Sequence, residues 1–166
     1  METINKEIPD KLKRFFDEMK RYIKTPIYFY GSIQRADYFM NSSDIDISIF
    51  AINIESMVAK LKHFLLSENI REKKIMWRVK SGLILKGKKL VYKNREHSLR
   101  IEINIYNEKD KGIVLSENRR KIPFYTSCML IILKVFYYKL NFIDRDLFRN
   151  IKALLLGESK NNVINY

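Results

Sequence analysis

Two rhythms of apolar residues divide this chain. Leu12, Phe15, Phe16, Met19, Tyr22 and Ile23 follow the i, i+3, i+4, i+7 spacing of one helical face, with Lys and Arg between them. Pro9 and Asp10 suit the first turn of that helix, and Pro26 ends it. Residues 27–30 read as a short strand running into Gly31-Ser32. A short helix is expected over 33–39, then a loop at Asn41-Ser42-Ser43. From 44 to 50 the period changes to two. Asp44, Asp46 and Ser48 share one side of a strand, and Ile45, Ile47 and Ile49 share the other.

The helical period returns with Ile54, Met57, Val58, Leu61, Phe64 and Leu65. Residues 75–106 read as strands joined by turns, with a hairpin tip at Lys86-Gly87-Lys88 and another turn at Asn94-Arg95-Glu96. The last of these strands alternates again: Leu99, Ile101, Ile103 and Ile105 against Arg100, Glu102 and Asn104. Beyond 111 the pattern is helical, strongly apolar over 123–139 and amphipathic over 145–156, and the tail from Gly157 is expected to fray. No repeat, linker or domain boundary interrupts this order. The elements predict an α+β fold, with strands and flanking helices over 1–110. A C-terminal helical extension over 111–166 would pack on the same domain.

Composition narrows the class. At 166 residues with 46% apolar and 31% charged side chains, the chain can build one ordinary core. The single Cys128 excludes an internal disulfide and a cysteine-rich zinc site, and fits a reducing compartment. No stretch reads as a signal peptide or membrane span, so a soluble, intracellular protein without a membrane partner is expected. Lys and Arg outnumber Asp and Glu 32 to 19, a net charge of +13 that attracts polyanions. A Lys-, Ile- and Asn-rich composition of the kind an AT-rich gene encodes explains the same excess. Basic clusters lie at 71–74, 86–89 and 119–121. The residues Lys86, Lys88 and Lys89 of the second are the candidates for gripping a nucleic-acid backbone. His63, His97, Cys128 and Trp77 read as structural.

One constellation carries chemistry. A strand ends in Gly31-Ser32, Arg35 follows in what reads as the first turn of a helix, and the next strand opens with Asp44-Ile45-Asp46 after 11 intervening residues. Glycine permits close approach of a ligand, the start of a helix presents unpaired N–H groups to an anion, and Arg35 can contact a phosphate. The two carboxylates project from one face. At about 4 Å and an effective dielectric of about 20 they repel by on the order of 4 kcal/mol. Protonation, a basic partner or a hard divalent cation such as Mg²⁺ or Mn²⁺ relieves that repulsion. Metal beside a phosphate pocket suggests phosphoryl or nucleotidyl transfer. The bland alternative is the solvated face of an edge strand.

The run GSIQRADYFMNSSDIDISIF resembles the signature of the DNA polymerase β-type nucleotidyltransferase superfamily, and the likeness extends over 26–106. It implies a compact palm, a mixed sheet with flanking helices, with transfer of a nucleoside monophosphate from a (deoxy)nucleoside triphosphate to a hydroxyl and two Mg²⁺ ions. By the same resemblance Gly31, Ser32 and Arg35 would hold the triphosphate, and Asp44 and Asp46 would bind metal. The superfamily pattern calls for a third carboxylate on a later strand, and Glu102, 56 residues after Asp46, is the match. An ordinary surface pairing of Glu102 with Arg100 is its alternative. The size and basic charge are similar to a minimal viral-type polymerase X, although Gln34 stands where that group carries its first Arg. Its Leu-Asn…Gly-Leu-Phe element has only a loose counterpart in Leu140-Asn141 and Asp146-Leu147-Phe148. Growth of a DNA or RNA 3′ end is therefore the expected activity. RNA tailing, nucleotidylation of a protein or small molecule, and a non-catalytic nucleic-acid-binding module remain open.

Overall fold

The structure, a computed structural model, describes residues 8–40, 42–66, 70–79, 82–94, 99–118, 122–157 and 163–165. His97, the cluster at 119–121 and the turn residues Arg95 and Glu96 lie outside these.

The architecture is α+β. Its elements run α1 (Asp10–Ile23), β1 (Tyr28–Tyr30), β2 (Ile45–Ala51), α2 (Ile54–Leu65), β3 (Ile70–Arg78), β4 (Ile84–Asn94), β5 (Leu99–Asn107), α3 (Lys111–Asn118), α4 (Phe124–Tyr138), α5 (Arg145–Leu155) and β6 (Val163–Asn165). The strands form one mixed sheet in the order β1-β2-β5-β4-β3-β6. Among the described residues only β2 and β5 pair in parallel, and the other pairings are antiparallel.

Local chemistry sets the helix limits. Pro9 precedes α1, which ends where Lys24 turns left-handed. Asn53 caps α2, its side chain accepting a hydrogen bond from the Ser56 N–H at 2.9 Å. Phe16, Met19 and Ile23 of α1 and Met57, Val58, Leu61 and Leu65 of α2 pack on one face of the sheet. There they meet Ile45, Ile47, Ile49, Ile101, Ile103 and Ile105, all wholly buried. His63 belongs to this helical layer, with Nδ1 2.7 Å from Tyr22 Oη.

The opposite face is divided. Towards one end it is apolar: Phe50, Ile75, Leu85 and Tyr106 cluster with Val114 of α3, and Trp77 packs against them. The remainder of that face carries Asp46, Glu102 and Asn104. Here α4 and α5 pack on each other through Tyr137 and Phe148, whose rings stack with centroids 4.1 Å apart. α4 is tied to the loop at 35–43 by Lys134. Cys128 of α4 is half-buried.

Several expectations change. β3 begins at Ile70, so Arg71, Lys73 and Lys74 lie on a strand. The hairpin between β3 and β4 turns at Gly82, not at Lys86-Gly87-Lys88. The Val79 N–H donates to Leu83 O at 2.9 Å, and Gly82 takes φ +84. Gly87 lies inside β4 because Tyr106 crosses there. A Cβ on Gly87 would stand 2.5 Å from Ile105 O and 3.0 Å from the Tyr106 ring. The tail is not all frayed: β6 pairs with β3 through Ile75–Trp77. Among the described residues no helix is long and apolar enough to cross a membrane.

Candidate functional site

β2 is an interior strand, flanked by β1 and β5, so Asp46 does not belong to an edge strand, and Asp44 stands immediately before the first residue of β2 rather than on it. In the parallel β2–β5 ladder Asp46 is the register partner of Glu102, and Ile45 is that of Ile101. Partners in register point to the same side of the sheet, so the apolar alternation of both strands forces the two acids together on the face away from α1 and α2. On the other side of β2, Tyr30 is the register partner of Asp46. Gly31 follows at φ +75, and a Cβ there would stand 2.6 Å from Asp46 Oδ2. Glycine is required at this position both by the left-handed backbone and by the carboxylate against it.

Cations hold the acids. Arg100 reaches Glu102 Oε1 through Nη2 at 2.5 Å and Asp44 Oδ2 through Nη1 at 3.3 Å. Lys89 of β4 donates to Glu102 Oε2 at 2.7 Å. Lys152 of α5 is close enough for its charge to act on Asp44, Asp46 and Glu102 alike. Among the described residues the buried Arg100 Nε has no hydrogen-bond partner. One residue deeper in the same row, Asn104 Nδ2 donates to Tyr30 Oη.

The three acids differ in their ionisation. Burial, with the Glu102 charge next, pushes Asp46 up to about 7, against the opposing pull of Lys152 and Lys89. Burial also raises Asp44, with Arg100 opposing and Glu102 reinforcing. Burial works against the Glu102 carboxylate too, but Lys89 and Arg100 outweigh it and hold Glu102 below the usual carboxylate range. Tyr138 of α4 is pushed up to about 12 by burial and by Asp44. That coupling shows that α4 borders the same cluster.

The nucleotide-binding expectations fare unequally. Gly31 lies against Asp46. Ser32 is buried in a short 3₁₀ turn over Gly31–Gln34, with no α-helix behind it to supply a dipole. The chain leaves that turn at Arg35, which is extended at φ −124, ψ 165. Arg35 is not turned to the acid cluster. It grips Asp37 with Nε at 2.7 Å and Nη2 at 3.1 Å, and Lys134 Nζ meets the same carboxylate at 3.0 Å. Asp37 and Lys134 are almost wholly buried, and Lys134 also donates to Asp37 O and Ser43 Oγ. This network fastens the segment that leads into Asp44.

The three lysines expected to act together are split by the sheet. Lys89 shares the Glu102 face. Lys86 and Lys88 point to the other face, where Lys88 is held by Glu55 at 2.5 Å and Glu72 at 2.6 Å. The error follows from the misplaced hairpin, since a strand alternates its side chains and a turn does not. Lys152 and the Asp37–Lys134 pair escaped the sequence reading. Lys134 left one signal, as the only charged residue within α4. Lys152 left none, because its role depends on how α5 docks.

Asp44, Asp46 and Glu102 are hard oxygen donors suited to Mg²⁺ or Mn²⁺, and the space kept by Gly31 and the guanidinium between Asp44 and Glu102 fit a cation there. In the present arrangement no three His, Cys, Asp or Glu side chains among the described residues converge as a ready metal-binding group. Two of the acids are engaged by Arg100 instead. No protein-family model matches the chain, and no curated protein matches it in sequence.

Proposed function

We propose that this protein is a nucleotidyltransferase with a polymerase β-type palm. In this reading it adds a nucleoside monophosphate from a (deoxy)nucleoside triphosphate to a nucleic-acid 3′-hydroxyl. The observation that carries the reading is the pairing of Asp46 with Glu102 across parallel strands, beside a glycine that leaves room for the Asp46 carboxylate. The mixed sheet with two helices on its far face is compatible with such a palm.

Asp44, Asp46 and Glu102 would hold the divalent cations, which when bound neutralise phosphate charge and make a hydroxyl easier to deprotonate. The acceptor oxygen forms a bond to the α-phosphorus, the bond from that phosphorus to the β-phosphate oxygen breaks, and pyrophosphate leaves. The hydroxyl proton passes to the carboxylate cluster. The rigid interior strands fix the acids, and the Asp37–Lys134 anchor fixes the loop before them. The net charge of +13 favours a polyanionic acceptor over a small neutral one.

The test offers labelled ribo- and deoxyribonucleoside triphosphates with Mg²⁺ to gapped DNA duplexes, single-stranded RNA and protein alone. Extension of one nucleic acid, lost by at least about 100-fold in Asp44→Asn and Asp46→Asn, is expected. Full activity in both variants overturns the reading. Label on protein instead of nucleic acid overturns the acceptor.

A further inference from the structure

Two cations from separate elements contact the acid cluster, Lys89 of β4 and Arg100 of β5, and a third, Lys152 of α5, is close enough for its charge to act on it. A structural ion pair would satisfy its donors, yet the buried Arg100 Nε has no partner among the described residues. A buried donor without a partner costs about 1–3 kcal/mol. Arg100 therefore pairs with the acids at the expense of its own hydrogen bonding. Meanwhile Arg35, the one arginine that the sequence offered for a phosphate, is committed to Asp37.

We propose that Lys89, Arg100 and Lys152 are the polyphosphate-binding set of this site, and that in the empty protein they stand in for divalent cations against Asp44, Asp46 and Glu102. A cation taken by Glu102 Oε2 releases Lys89, and one taken by Glu102 Oε1 or Asp44 Oδ2 releases Arg100. The released donors lie where a polyphosphate held by the same cation needs counter-charge, and a guanidinium or ammonium transfers from carboxylate to phosphate without changing its protonation. Metal and polyphosphate should then bind cooperatively, each removing the other's competitor. This rests on the proposed nucleotidyl transfer and names the residues that would hold the triphosphate in it.

Binding tests it without turnover. Mn²⁺ alone, and inorganic tripolyphosphate with Mn²⁺, are titrated calorimetrically into wild type, Lys89→Met, Arg100→Met and Lys152→Met. Lys86→Met, on the opposite face, is the control. Removing a stand-in cation should tighten Mn²⁺ alone by about tenfold, or about 1.4 kcal/mol. The same variant should weaken tripolyphosphate by about tenfold, and the control should change neither. Opposite signs from one substitution are what a merely structural residue does not give. Any one variant that fails to fold is replaced by the other two, which carry the same pair of expectations. Mn²⁺ binding that is unchanged or weaker overturns the stand-in role, and unchanged tripolyphosphate binding overturns the phosphate role. Both leave nucleotidyl transfer standing. A wild type that binds neither probe overturns the inference and the proposed function together.

Discussion

Replacing Asp46 by Asn should make the metal-free protein more stable at pH 8, and leave it little changed at acid pH. The carboxyl of Asp46 is raised from the ordinary carboxylate range to about 7 by burial and by Glu102. A folded-state value above the unfolded one means that the folded protein binds the proton more tightly. The protonated acid's stabilisation is then fully present below pH 4 and is lost as the pH rises to 7 and above. At about 1.4 kcal/mol per tenfold change in proton affinity, the displacement corresponds to a ceiling of about 4 kcal/mol. Asp46 keeps some contact with solvent, and Lys89 and Lys152 screen it, so about 2 kcal/mol is the expected penalty above pH 7. Asn has nearly the same shape and never ionises. In a chain of 166 residues this gain is about 4–8 °C in Tm. Thermal and urea melts of both proteins in EDTA at pH 4 and pH 8 measure it. Because both share the remaining charges, their difference isolates Asp46. An equal gain at both pH values, or no gain at pH 8, refutes the reasoning. Under the proposed function, Mg²⁺ should close the gap by stabilising the wild type alone.

The other expectations concern the frame around the acids. Gly31→Ala places a Cβ 2.6 Å from Asp46 Oδ2 at φ +75. It should cost about 1–2 kcal/mol in stability and about 100-fold in kcat/KM for nucleotide transfer, and a normal rate would show that the Asp46 position is not critical. Lys134→Met leaves a buried Asp37 with Arg35 alone, and a loss of about 3–5 kcal/mol is expected in urea titrations at neutral pH. Burial opposes the Asp37 charge, but Arg35 and Lys134 outweigh it and hold its carboxyl below the usual carboxylate range. The loss should therefore shrink as the pH falls through that lowered value, and a loss independent of pH would count against the ion pair. Gly87→Ala pushes a Cβ to 2.5 Å from Ile105 O, and should lower Tm by about 4–8 °C, consistent with about 2 kcal/mol of overpacking.

What could be read from the sequence is what a strand's period alone dictates. The alternation of Asp44–Phe50 and of Leu99–Tyr106 put Asp46 and Glu102 on polar faces. Burial of both isoleucine rows against one pair of helices then left those polar faces on the same side of the sheet. Arg35 could not be placed this way. Its direction is decided by Lys134, 99 residues later, which draws Asp37 inward and pulls Arg35 with it. Gly87 between two lysines carries the composition of a turn, but its reason is the Tyr106 ring on the neighbouring strand. That one misreading reversed the face of Lys86 and Lys88, because alternation begins from wherever the strand does.

The two faces of the sheet explain how the fold tolerates an acid cluster that opposes its stability. On the far face the isoleucines of β2 and β5 are wholly buried, so the strands that carry Asp46 and Glu102 are fixed by apolar packing and need no contribution from the acids. On the near face the tightly packed Phe50 and Tyr106 lie four residues along from Asp46 and Glu102, and the polar network begins only where that packing ends. Charge at the site can therefore change hands, from lysine and arginine to a bound cation, without moving the strands beneath it. An acid cluster maintained only for stability would be better replaced by apolar residues, since a buried ion network is often no more stable than its hydrophobic counterpart. Three carboxylates, two lysines and an arginine whose Nε has no partner among the described residues, on an otherwise well-packed sheet, are then a reason to look for the ligand that completes them.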